Sequence, residues 1–291
     1  CKLDPLNETD IHFERISGAP NGTSVVMTNP QYGLHKSATA IKNNLLKIFP
    51  MVDSSFKIHI NAGREIITID SFDKEMIKGL GALIVLGTDY HYLTKYFNPE
   101  FVDVNNTQRK KELLKVEDVV TKSLKLKDKQ GTEKVYNLLI SGWIGAYKTT
   151  RDRKVDRSDF PDNFISLLSN GKLGEYNILP IVGKNKLPEV YIVGQLHVDL
   201  FEETELPDMA LSNRQGYKTD DMRYEFVINY VRDELLPRIV NLRTIYAIFV
   251  RDDREKGKLE QQKKDEEELL KLVDKYRLTV SKKAAKKIAD K

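Results

Sequence analysis

The side chains of this chain best placed for chemistry sit where strand-like runs end. Lys148 follows Trp143-Ile144-Gly145, so a strand closing on a glycine turn would present it, and a lysine there can meet a phosphate as a point charge. Taken alone, an exposed surface lysine is the commoner outcome. Arg214 lies in Asn213-Arg214-Gln215-Gly216-Tyr217, where its planar fork could clamp an oxyanion or phosphate and Gly216 would allow a close approach. A structural pair between Arg214 and Asp208 is equally open. Asp199, Glu202, Glu203, Glu205 and Asp208 crowd one short segment, a group that could hold Mg²⁺ or position a water, although a solvated loop is the more frequent meaning. Gly22-Thr23 opens a β-branched run and by itself is an ordinary turn-to-strand transition.

Several other chemistries are excluded. The chain has no G-x-x-x-x-G-K-S/T phosphate loop, and Gly79-Leu80-Gly81-Ala82-Leu83-Ile84 lacks the third glycine of a dinucleotide fingerprint. The five histidines, His12, His35, His59, His91 and His197, show no paired zinc spacing, and His197 reads as a structural histidine within a strand. A single cysteine, Cys1, excludes an intramolecular disulfide framework.

The elements that would position these groups read in two blocks. His12–Ile16 and Thr23–Thr28 are strand-like. Ser37 caps a helix carried by Ala38, Ile41, Leu45 and Phe49 and closed by Pro50. Phe56–Ile60 and Glu65–Ile69 form a hairpin around Asn61-Ala62-Gly63. Residues 73–97 are apolar but broken by Gly79, Gly81 and Gly87, with helix or mixed structure both open. Residues 98–130 are polar and lysine-rich, the pattern of a linker or the start of a second domain, with Leu113–Leu126 a strand or short helix.

Strands follow at Val135–Ile144, Asn163–Leu168 and Glu189–Asp199. A long helix starts after Asp220-Asp221 with a stripe of Val227, Val231, Leu235, Ile239, Leu242, Tyr246 and Phe249, and Pro237 marks a kink or break. Residues 251–291 mix both charges heavily, while Leu269, Val273, Tyr276 and Val280 keep helical spacing, as in a solvated helix or coiled-coil arm.

Composition bounds the whole. With 40% apolar and 31% charged residues, the chain is long enough for two ordinary globular domains. The net charge of +4 equals that of residues 281–291 alone, so the body sums to zero and any nucleic-acid contact would rest on that tail or on a local patch at Arg151, Arg153 and Lys154. No apolar run approaches the roughly 20 residues of a bilayer span. A first residue of Cys rather than Met, without a secretory leader, suggests a fragment of a cytoplasmic protein.

Together the pieces resemble a known order. Gly22-Thr23-Ser24-Val25-Val26 resembles the Gly-Thr motif opening a late strand of the ATP-binding domain in the gyrase/Hsp90/histidine-kinase/MutL superfamily, and the helix and strand ending in Phe56-Lys57-Ile58 fit that domain's end. Residues 135–250 resemble the transducer domain of ribosomal protein S5 type. The resemblance is closest to bacterial MORC-like ATP-binding proteins, through Gly142-Trp143-Ile144-Gly145, Asn170-Gly171-Lys172 and Val193-Gly194-Gln195-Leu196-His197-Val198-Asp199, with Asn213-Arg214-Gln215-Gly216 beyond.

The fold so implied is α/β: the end of an ATP-binding sandwich over 1–97, a linker or second-domain start over 98–130, an S5-like transducer over 131–250 and a charged helical tail over 251–291. Thr23 would match the threonine in the network that reads adenine, beside Gly22, and Lys148 the transducer lysine that reaches the γ-phosphate; Arg151, Arg153 or Lys154 could serve instead. The family's catalytic Asn/Glu helix, its D-x-G-x-G motif and its glycine-rich lid do not occur in this chain. ATP and Mg²⁺ are therefore expected in a longer parent and not tightly bound by this chain. A homodimer, a protein client or DNA on the tail, and no membrane complete the implied picture. The competing reading is a non-enzymatic protein- or nucleic-acid-interaction module with a charged helical arm.

Overall fold

In the computed structural model, which describes residues 41–42, 45, 57–62, 65–69, 76–101, 106–151, 161–184, 187–211 and 216–289, apolar runs bounded by glycine and polar turns become strands of a mixed sheet. The hairpin expected around Asn61-Ala62-Gly63 is present: β1 (Ile58–Ala62) and β2 (Glu65–Ile69) pair antiparallel, Ile58 with Ile69 and Ala62 with Glu65. Ile41 and Leu45, from the helix expected over 38–49, are helical and pack into the same apolar cluster as Ile60 and Ile69. The strands expected at His12–Ile16 and Thr23–Thr28 lie outside the described residues.

The glycine-broken stretch 73–97 contains β3 (Leu80–Leu86) and a 3-10 helix, Thr88–Lys95. Every residue of β3 is buried. Ala82, Ile84 and Leu86 join one apolar cluster, and Leu80, Leu83 and Val85 the other. A strand covered on both faces loses the polar–apolar alternation by which strands are read.

Residues 106–127, polar enough to suggest a linker, form α1 (Asn106–Leu113), β4 (Leu114–Glu117) and β5 (Val120–Lys127). β4 runs parallel to β3 at the sheet edge, and β5 pairs antiparallel with the first half of β6 (Glu133–Tyr147). Strands with one face toward water tolerate the lysines that made this segment look unstructured. The second half of β6 lies between β3 and β9 (Ile192–His197), antiparallel to both. Thus β3 and β6, from either side of the stretch 98–130, are hydrogen-bonded neighbours.

β7 (Phe164–Ser169) runs parallel to β9, and β8 (Lys172–Glu175) closes that edge. Asn170 and Gly171 between them have φ of 49° and 73°, the paired left-handed residues of a tight hairpin turn. The sheet order is β4-β3-β6-β9-β7-β8. The strand expected over Glu189–Asp199 is shorter: Leu187–Tyr191 and Asp199–Glu202 are 3-10 turns on either side of β9.

Asp221 caps α2 (Met222–Tyr230) by accepting the Arg223 N–H at 2.9 Å. α2 continues through a π turn, Val231–Leu235, into α3 (Leu236–Ala289). The expected apolar stripe from Val227 to Tyr246 is buried. Pro237 does not break the helix. It has no N–H to give, and the π turn just before it, where Leu236 N–H reaches the Val231 carbonyl, re-registers the backbone around that loss. From Met222 to Ala289 the helical run extends about 100 Å. Arg109 of α1 pairs with Asp253 at 2.7 Å and lies over the rings of Phe101 and Phe249; beyond residue 253 the described α3 side chains are exposed. The molecule is therefore a mixed α/β fold with a mixed sheet and a long C-terminal helix. Among the described residues no helix is long and apolar enough to cross a membrane.

Candidate functional site around Lys148

Lys148 stands at the end of β6, where three parts of the chain meet. Its N–H donates to the Gly79 carbonyl at 3.0 Å, immediately before β3. Arg243 of α3 donates to the Tyr147 carbonyl through Nε at 3.1 Å and to the Lys148 carbonyl through Nη2 at 3.4 Å. The Lys148 ammonium is 3.5 Å from Glu100 Oε2. The lysine side chain is 21% exposed and that of Glu100 is 74% exposed, so the pair lies at the surface and its cation is screened on one side only.

Two features mark this junction. Glu100 has φ +53°, a left-handed conformation uncommon outside glycine, in the residue that neutralises Lys148. Arg243 is sandwiched: its guanidinium lies 4.1 Å from the Tyr191 ring and 5.2 Å from that of Tyr246, and burial pushes its pKa below the usual arginine range. An anion approaching Lys148 meets a cation already partly desolvated, whose competing carboxylate is largely exposed to water. Displacement of the Lys148 backbone would act on Gly79 and β3 on one side and on α3 through Arg243 on the other.

Sequence reading did not single out Glu100 or Arg243. Arg243 carried a signal: it falls one turn after Ile239 within the apolar stripe, where a charge requires a built environment. Glu100 carried none, because its role depends on a backbone conformation.

The other candidate residues disperse. Gly22, Thr23, Arg214, Arg153 and Lys154 lie outside the described residues. Arg151 is exposed, its N–H donating to Thr149 Oγ1 at 3.1 Å. The acidic run does not converge. Asp199 accepts the Asn170 N–H at 2.7 Å, Glu205 accepts from Tyr136 at 3.1 Å, and Asp208 accepts the Ala210 N–H at 2.9 Å. Arg223, almost fully buried, fixes this segment by donating to the Leu200 and Pro207 carbonyls as well as to both Asp221 oxygens. Burial works to raise the Asp221 carboxyl, but its bonds and charge contact with Arg223 outweigh that and hold it below the usual range. Among the described residues no three His, Cys, Asp or Glu side chains group as a metal site.

The glycines of the distinctive motifs have packing roles. Gly142 has φ +119°, and a Cβ there would overlap the Gln195 carbonyl oxygen across the β6–β9 pair. A Cβ on Gly145 would overlap Leu80 of β3. His197 is largely buried, its ring centroid 5.1 Å from that of Tyr90, and burial lowers its pKa despite the opposing charge of Asp199. Gly216 and Tyr217 line a cavity of about 210 Å³ with Lys172, Gly174 and Glu202. Beside it Tyr224 donates to Glu175 Oε1 at 3.2 Å, while Glu175 Oε2 and the Tyr217 hydroxyl are buried without a hydrogen-bond partner.

No family model matches the chain, and no solved structure matches it. A curated protein of Herpetosiphon aurantiacus named "Putative type II restriction enzyme HgiDII" is 20% identical over 249 residues, covering 81% of this chain and 35% of that protein. The chain thus spans about a third of the length of the relative it matches.

Proposed function

We propose that this chain is part of an ATP-binding and ATP-hydrolysing conformational switch of the gyrase/Hsp90/histidine-kinase/MutL superfamily, of the bacterial MORC-like kind. In this reading residues 131–250 form an S5-type transducer that couples nucleotide state to dimerisation or partner binding. The observation that carries the reading is the position of Lys148, whose backbone is bonded to both the β3 side and α3 while its ammonium faces an exposed carboxylate. The sequence motifs at 142–145, 170–172 and 193–199 support it independently. The name of the relative favours DNA as the partner of the whole system.

The residues present fit one end of a nucleotide. The bound nucleotide supplies a phosphoanhydride; Lys148 would hold its terminal phosphate as a point charge, with Gly22 and Thr23 at the adenine end. Glu100 keeps the ammonium in place until an anion replaces it. Arg243 holds the carbonyls of residues 147 and 148, so the β6 terminus and α3 shift together.

Two substitutions in the full-length protein test this. Lys148→Ala should lower ATP turnover about a hundredfold, with the melting temperature little changed because the side chain is at the surface. Glu100→Gln should tighten nucleotide binding by removing the competing carboxylate. Unchanged turnover in Lys148→Ala, or a parent sequence with no Asn/Glu helix and no D-x-G-x-G motif, overturns the proposal. For DNA the contact expected is the tail: removing residues 281–291 should weaken binding and reduce its salt dependence.

A further inference from the structure

The described side chains of α3 beyond Asp253 are exposed, yet this part of the helix is not uniformly polar. Leu269, Val273, Tyr276 and Val280 are 62%, 40%, 73% and 48% exposed, and their spacing of four, three and four residues makes one continuous seam of the a/d type. Leu270 and Leu272, also exposed, flank it on either side. An apolar seam of this kind on a helix that buries no other face calls for a second helix.

The charges around the seam identify the occupant. Asp265-Glu266-Glu267-Glu268 precedes it, and Lys282, Lys283 and Lys286 follow it. We propose that the seam pairs with the same seam of a second copy of this chain, antiparallel, with Leu269 against Val280 and Val273 against Tyr276 of the other copy. In that register Glu266 meets Lys283 and Asp265 meets Lys286 at each end, and all four apolar seam residues are covered. A parallel, in-register pair would instead set Glu266 against Glu266 and Lys283 against Lys283 at seam positions, like charges where apolar contact is needed. The antiparallel arrangement is isologous and closes on itself as a two-fold dimer. It stands independently of the ATPase reading.

Cysteine cross-linking tests both the partner and the register. Cys1 is the chain's one cysteine, so a Cys1→Ser background is clean. In it, Val273→Cys and Tyr276→Cys chains are oxidised separately and as a mixture. The expected result is a covalent dimer that forms several-fold more readily in the mixture than in either chain alone. Equal or better cross-linking of Val273→Cys alone overturns the antiparallel register. A single monomer mass at every concentration in sedimentation, with no cross-link, overturns self-pairing and assigns the seam to another partner. As a second readout, Glu266→Lys should weaken the dimer about tenfold, and Glu266→Lys combined with Lys283→Glu should restore it. A double variant no better than the single one overturns the proposed pairing.

Discussion

Glu175 shows how much a single buried group depends on its neighbours. Burial pushes its carboxyl above the usual range, and hydrogen bonds from Tyr224 and the Tyr217 backbone offset this only in part. Because the folded pKa lies above the unfolded value of about 4.5, the folded form binds the proton more readily. The group therefore costs nothing in acid and destabilises progressively as pH rises above that value. Glu175→Gln should raise the melting temperature at pH 7 to 8 and leave it nearly unchanged at pH 4, measured by calorimetry across that range. A larger effect in acid would contradict the assignment. At this scale the sequence was legible where chemistry is local: Asp220-Asp221 ahead of the long helix, Lys148 just past a strand and His197 within one were all readable from residue type and spacing. Glu175, Glu100 and Arg243 were not, because each owes its environment to segments far away in the chain.

Elements were legible in proportion to how one-sided their burial is. The stripe from Val227 to Tyr246 has one buried face and reads directly as a helix. β3 is covered on both faces and so lacks the alternation of a half-buried strand, whereas β5 does alternate, with Val120, Leu124 and Leu126 half-buried, but Lys122 interrupts its apolar face and masks the pattern. Pro237 suggested a break because a missing N–H normally ends a helix; the π turn absorbs it. β6 is the element on which most others depend, and Gly142 is its tightest point. Gly142→Ala should destabilise the fold by more than about 3 kcal/mol, since the new Cβ meets backbone and φ is left-handed. Denaturant unfolding measures this directly, and a loss within the ~0.5 kcal/mol expected of a surface change would mean that β6 and β9 part easily there.

For the whole molecule, the boundary between body and arm is set by contacts rather than by secondary structure, which runs through it unbroken. Tyr246 is buried, Phe249 packs against the second apolar cluster, and the Arg109–Asp253 pair ties the helix to α1 just before its described side chains become exposed. A chain ended after Arg254 should keep the body's melting temperature within a few degrees, whereas one ended after Arg243 loses Tyr246, Phe249 and Asp253 and should lose more than about 3 kcal/mol. Equal stability of the two would place the boundary earlier. Composition already separated these regions, since the body is neutral and the net positive charge resides in the last residues. What composition does not convey is that the neutral body and the charged end are joined by one continuous helix.

That continuity turns the arm into a ruler. Two bodies joined through antiparallel seams centred between Val273 and Tyr276 sit at opposite ends of the shared rod, about 65 Å apart and related by a half-turn. Each residue added between Arg254 and the seam would move them about 3 Å further apart and rotate them about the rod. The length of bare helix would then set the separation of the two points at which a paired molecule grips whatever it holds.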